Sequence, residues 1–110
     1  MATSTIITEY TRANSGTPFW HEYAAADSTR ASQLAAYDQF LTDNCGVISI
    51  TRIVTGDTMR RTVVVNGSVN AVSRTYSSAI NAAMPGYEDS IMAYYVANDI
   101  TITDQTVEVA

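Results

Sequence analysis

The chain has 110 residues, 15% of them charged, and carries a net charge of −5 with six Arg and no Lys. That length suits one domain, residues 1–110, whose core needs neither a disulfide nor a metal. Phosphate binding needs clustered cations that displace counterions; Arg60-Arg61 is the single adjacent basic pair, so nucleic acid and anionic membranes are not expected partners.

One Cys, Cys45, excludes an intrachain disulfide, and with one His, His21, it excludes a Cys/His zinc site. No metal and no cofactor is expected. Residues Met1 to Tyr10 lack a basic region followed by an apolar stretch. No apolar run approaches the ~20 residues that span a bilayer. The expected setting is soluble and cytoplasmic.

In chain order, Thr3–Arg12 reads as the first strand on its Thr, Ile and Tyr content. Asn14 to Pro18 breaks it with turn formers. Phe19-Trp20-His21-Glu22-Tyr23 then reads as an aromatic connection. Extended, it puts Phe19, His21 and Tyr23 on one side and Trp20 and Glu22 on the other. Rings of this size in a connection lie over a core edge or a subunit boundary.

Asp27 or Ser28 is a good N-cap for a helix running to about Asn44. Ala31, Leu34, Tyr37, Leu41 and Cys45 form its apolar stripe, flanked by Ala35 and Phe40. Gly46 is placed to end it in a left-handed turn.

Val47 to Asn66 reads as two strands joined at Thr55-Gly56-Asp57. Val, Ile and Thr at this density fit a pleated, packed surface. Asn66-Gly67 is a turn signal, and a further strand from Ser68 to Tyr76 competes with a helix capped by Ser68. The stripe Val69, Val72, Tyr76, Ile80 and Ala83 favours the helix.

Pro85-Gly86 interrupts that helix. Glu88 and Asp89 open a second piece, where acids suit the macrodipole, and Asn98-Asp99 closes it. The last strand begins at Ile100. Ile100 and Ile102 differ in parity from Val107 and Val109, and a regular strand cannot place both pairs on one face. Either a bulge near Asp104-Gln105 resets the phase, or the two halves bury against different partners.

The order strand, helix, strand, strand, helix, strand is that of the ferredoxin-like α+β sandwich. Its four-stranded antiparallel sheet carries both helices on one face. Counted by parity, the hairpin offers apolar residues to both faces: Ile48, Ile50 and Val54 to one, Val47, Ile53, Val63 and Val65 to the other. An uncovered apolar face marks an interaction surface, so a homodimer closed through the second sheet face is expected.

With this element order, and with Ala93 to Thr101 as the passage from last helix to last strand, the whole chain resembles the dimeric ferredoxin-like, or dimeric α+β barrel, proteins. These include the antibiotic-monooxygenase-like enzymes. The resemblance implies a homodimer with a small-molecule pocket between sheet and helices. It reaches the fold: the group holds cofactor-free oxygenases, haem-degrading, decarboxylating and isomerising enzymes, and no catalytic set of theirs maps residue by residue onto this chain.

His21 is the single imidazole, hence the one candidate for His-based acid/base chemistry; its bland reading is a structural or surface group. Tyr10, Trp20, Tyr23, Tyr94 and Tyr95 are candidates to line a pocket for a planar ligand, or else core and dimer contacts. Arg52 lies among Ile50 and Val54 and needs an acid if buried. It either binds an anionic substrate or pairs with Glu9 or a rim acid. Arg60 and Arg61 read as solvated, and nothing marks Cys45 as activated. The ligand-binding candidates are therefore Tyr10, Trp20, His21, Tyr23, Arg52 and Tyr94.

Three readings follow. One is a homodimeric barrel protein binding a small apolar or aromatic molecule. The second is a cofactor-independent monooxygenase-like enzyme using His21 and the rings. The third is a structural subunit of a larger assembly, suggested by the lysine-free composition and the phase-shifted last strand.

Overall fold

Strand β1 (Thr3–Arg12) lies inside a four-stranded antiparallel sheet, between β3 (Thr58–Asn66) and β4 (Ile100–Val109). Strand β2 (Val47–Thr55) pairs with the far side of β3, giving the order β2-β3-β1-β4. Helices α1 (Trp20–Ala25), α2 (Ser28–Asn44) and α3 (Tyr87–Ala97), with the helical residues 78–83, lie on one face. This is the ferredoxin-like α+β arrangement. The structure, a computed structural model, describes residues 3–67 and 78–109. The expected Ser68 cap, with Val69, Val72 and Tyr76, lies outside them.

Local chemistry sets most boundaries. Thr55 pairs with Thr58 across a Gly56-Asp57 turn, and Gly56 has φ +58°, the left-handed geometry of tight hairpins. Asp27 accepts from Arg30 N at 3.0 Å and caps α2. Helical structure stops before Met84-Pro85-Gly86 and resumes at Tyr87.

The aromatic connection departs from expectation. Phe19 to Tyr23 is not extended: it opens α1. Glu22 reaches back to accept from Phe19 N at 3.0 Å, satisfying a donor that the helix start leaves free. Six residues are too few to show a helical period in sequence. The spacing of Phe19 to Glu22 was the available sign.

Two bulges reset strand phase. In β2 an extra residue, Ile48, falls between the Val47–Val65 and Ser49–Val64 pairs. Val47 therefore shares a face with Ile50 and Val54, and Ile48 turns outward, against the parity count. In β4 the extra residue is Thr103, one position before the expected site: Tyr10 pairs with Ile102 and Glu9 with Asp104. Ile100, Ile102 and Val107 thus share the helix-side face, where Ile100 is buried and Ile102 and Val107 stay exposed.

The core divides in two. Tyr37, Leu41 and Cys45 of α2 pack on Val47, Val63 and Val65, joined by Ile80 and Tyr87. At the other end Phe19, Met59, Tyr95 and Ile100 form a second cluster. Burying one Leu or Val of this kind stabilises by about 1.5–3 kcal/mol.

The opposite sheet face differs from the apolar surface expected from parity. Alternation gives it Thr5, Thr51, Thr62 and Thr106, with Ile7, Ile53 and Val64 among them. Glu9 and Arg60 are paired across it at 2.8 Å. Among the described residues, no helix is long and apolar enough to cross a membrane.

Ile50 packs against the first cluster from the sheet side. Ile50→Asp should lower stability by at least about 3 kcal/mol or abolish cooperative unfolding. An unchanged urea midpoint would show that this hairpin face is not buried.

Candidate functional site

The two apolar clusters are kept apart by one polar row across the sheet. Thr8 pairs with Arg61, and Arg61 with Arg52. Alternation turns all three toward the helices. A guanidinium needs far more solvation than a valine, so the helices cannot close on this row as they do on its neighbours. A cavity of about 140 Å³ results. Tyr10, Arg52, Met59 and Arg61 form its sheet side, while Trp20, His21, Leu34, Tyr37 and residues of α3 form its helix side.

Arg52 is held by Asp38 of α2 in a two-point pair, Nη1 to Oδ2 at 2.7 Å and Nη2 to Oδ1 at 2.9 Å. Its side chain is 16% exposed and that of Asp38 30%. An acid does take Arg52, as expected, but of the alternatives named it is not Glu9. Glu9 lies on the opposite face and takes Arg60, its direct neighbour in register, instead. The reading of Arg61 as solvated is corrected too: Arg60 is exposed, but Arg61 lies on the cavity wall. Neighbours in a strand face opposite ways, so two adjacent arginines have two different fates.

The helix side is tied together by polar bonds. Tyr37 Oη donates to Glu88 Oε2 at 3.1 Å, linking α2 to α3. Trp20 Nε1 donates to Tyr87 Oη at 3.2 Å, and Trp20 N to Tyr95 Oη at 3.4 Å. Burial pushes the Tyr95 phenol up to about 12, so it stays protonated.

His21 lines the cavity from α1. Its Nδ1 is buried and has no partner among the described residues. Burial lowers its pKa below the ordinary 6.5; Glu22 opposes the shift, and the Arg52 cation adds to it. The ring is therefore neutral at pH 7. A buried N–H without an acceptor costs about 1–3 kcal/mol and is rare. Nδ1 is thus the bare nitrogen, and Nε2 carries the hydrogen.

Of the sequence candidates, Tyr10, Trp20, His21 and Arg52 meet at this cavity. Tyr23 and Tyr94 do not line it. They stack on each other at 4.5 Å and 23°, and each lies within 5.6 Å of the Trp20 ring. The Arg30 guanidinium sits 3.9 Å above the Tyr23 ring, and Tyr94 Oη donates to Pro18 O at 2.7 Å. They brace Trp20 from behind.

Sequence reasoning passed over Glu88, Ile91 and Met92 as wall residues. With Tyr95 they recur at three, four and seven residues from Glu88, one stripe of α3. That stripe was readable; what it faced was not. Cys45, at the end of α2, is buried. Burial, then the Glu88 charge, raises its thiol pKa, so it is not an activated nucleophile. Among the described residues no three His, Cys, Asp or Glu side chains converge as a metal site would require.

Two outcomes test this arrangement. Asp38→Ala leaves Arg52 half-buried without its acid, and urea unfolding should show a loss of about 1–3 kcal/mol. Arg52→Met added to it should recover part of that loss, whereas strictly additive effects would mean no coupling. Second, His21 binds a proton less readily folded than unfolded, so the unfolded chain gains protons first as pH falls. Stability contributed by His21 is complete above pH 6.5, declines as pH falls through 6.5, and levels off below the folded value. Against His21→Gln, the gap in urea midpoint should change below pH 6.5; parallel curves from about pH 8 to 5 would contradict a depressed pKa.

No protein-family model and no curated protein matches the chain. Among solved structures, it is similar to one described as the crystal structure of a "putative antibiotic biosynthesis monooxygenase" from Chloroflexus aurantiacus J-10-fl. The two share 13% identity over 98% of this chain and 92% of that one, with a TM-score of 0.47.

Proposed function

We propose that this protein is a small homodimeric α+β-barrel protein that binds a small aromatic molecule in the cavity between its sheet and helices. The cavity carries the proposal. At about 140 Å³ it is close to the roughly 150 Å³ of an engineered apolar cavity that takes up benzene. Its rings and aliphatic side chains, Tyr10, Trp20, Tyr95, Met59 and Ile91, suit the faces and edges of one planar ring.

The enzymatic alternative, a cofactor-independent monooxygenase-like activity, needs His21 to take a proton from the substrate. The nitrogen free to do so is Nδ1, and it is buried. Binding without turnover is the reading this geometry supports better. It includes a cytoplasmic setting, where a lone thiol such as Cys45 stays reduced.

The dimer is proposed through the sheet face that the helices leave uncovered. Ile53 is 56% exposed there, with Ile7 and Val64 on the same face. A second copy laid over these residues removes them from water.

Toluene, added in excess, should raise the melting temperature, since a ligand that binds only the folded state stabilises by mass action. No shift with toluene or with any other one-ring compound would end the binding proposal. Light scattering after size exclusion should give twice the 11.9 kDa chain mass, and Ile53→Asp should weaken that dimer. A monomer would remove the dimer but leave the cavity, whereas a larger particle would favour an assembly subunit.

A further inference from the structure

The cavity wall carries hydrogen-bond donors that meet no acceptor among the described residues. The Tyr95 hydroxyl accepts from Trp20 N and donates to nothing among the described residues. The Tyr10 hydroxyl, also on the wall, has no hydrogen bond there. His21 keeps its hydrogen on Nε2, for the reason given above. The wall carboxylate, Glu88, already accepts from Tyr37. Three donors of the wall, on His21, Tyr10 and Tyr95, thus meet no acceptor among the described residues, so a guest that brings an acceptor satisfies groups that a hydrocarbon leaves unpaired.

Charge narrows the class further. Two cations reach the wall: Arg52 spends both terminal nitrogens on Asp38, so its charge is already met, and Arg61 is not free either. A carboxylate entering the cavity loses its hydration and meets Glu88 on the same wall. A neutral acceptor meets neither cost.

We infer that the guest of this cavity is a neutral one-ring aromatic compound carrying a carbonyl oxygen, which accepts from His21 and from the tyrosine hydroxyls. This rests on the proposal that the cavity binds a small aromatic molecule. The ring occupies the apolar part between Met59, Ile91 and Tyr95, and the carbonyl turns toward His21. No covalent step is involved.

The test compares toluene, acetophenone and benzoate by titration calorimetry and melting-temperature shift, on the full chain and on two variants. Acetophenone should bind at least about ten-fold more tightly than toluene, equivalent to about 1.4 kcal/mol, and benzoate no more tightly than toluene. His21→Leu should bring the ratio of acetophenone to toluene affinity down toward one, whatever it does to toluene affinity itself, and His21→Gln, which keeps an N–H donor, should restore most of that ratio. Equal affinities for toluene and acetophenone would overturn the inference and leave aromatic binding standing; benzoate binding most tightly would overturn its charge argument. A preference that survives in His21→Leu would show that His21 is not the donor. If none of the three binds, the parent proposal fails instead. Should His21→Leu not fold, the ratio in Tyr10→Phe, expected to fall, decides the same question.

Discussion

The Arg52–Asp38 pair is the interaction on which the interior depends. A strand that otherwise turns Val47, Ile50 and Val54 inward turns a guanidinium inward at its middle. That group is tolerable only because α2 brings a carboxylate to both of its terminal nitrogens. The pair fixes how closely α2 approaches the sheet. It also separates an apolar cluster under Leu41 from another around Phe19 and Met59. Without that row the helices would settle onto one continuous core, as ferredoxin-like geometry permits, and no cavity would remain.

The second determinant is Trp20. It touches Tyr23, Tyr87 and Tyr94 at ring separations of 5.5–6.0 Å and donates to two tyrosine hydroxyls. A helix as short as α1 is marginal by itself. This ring cluster, with Glu22 on Phe19 N, is what holds it in place. Because α1 is fixed, His21 is fixed, and its burial follows from where the helix sits rather than from anything in its own sequence surroundings.

Much of the fold was legible. The hairpin, the Asp27 cap, the Gly46 stop, the break at Pro85-Gly86 and the four-strand order all rest on local rules that act over a few residues. The site was legible in part. Tyr10, Trp20, His21 and Arg52 share one cavity, but Tyr23 and Tyr94 brace it from outside, and Arg61 belongs to it although it reads as a surface residue. The misassignments share a cause: each needed the direction of a side chain, and one unrecognised helix or one extra strand residue inverts direction for everything nearby.

What the sequence determined by itself was the set of elements, their order, and the presence of more aromatic and arginine side chains than a simple core requires. These follow from propensities and turn chemistry that each residue carries alone. Only the tertiary structure decided which face each strand shows. The bulge at Thr103 lies one residue from where the parity of Ile100, Ile102, Val107 and Val109 pointed, its exact place set by the pairing with β1, whereas the bulge at Ile48 answers to the pairing with β3 and left no sign in the strand's own composition. It also decided that Arg52 meets Asp38, because that contact requires α2 to cross the sheet directly above it, a geometry set by packing over the whole chain.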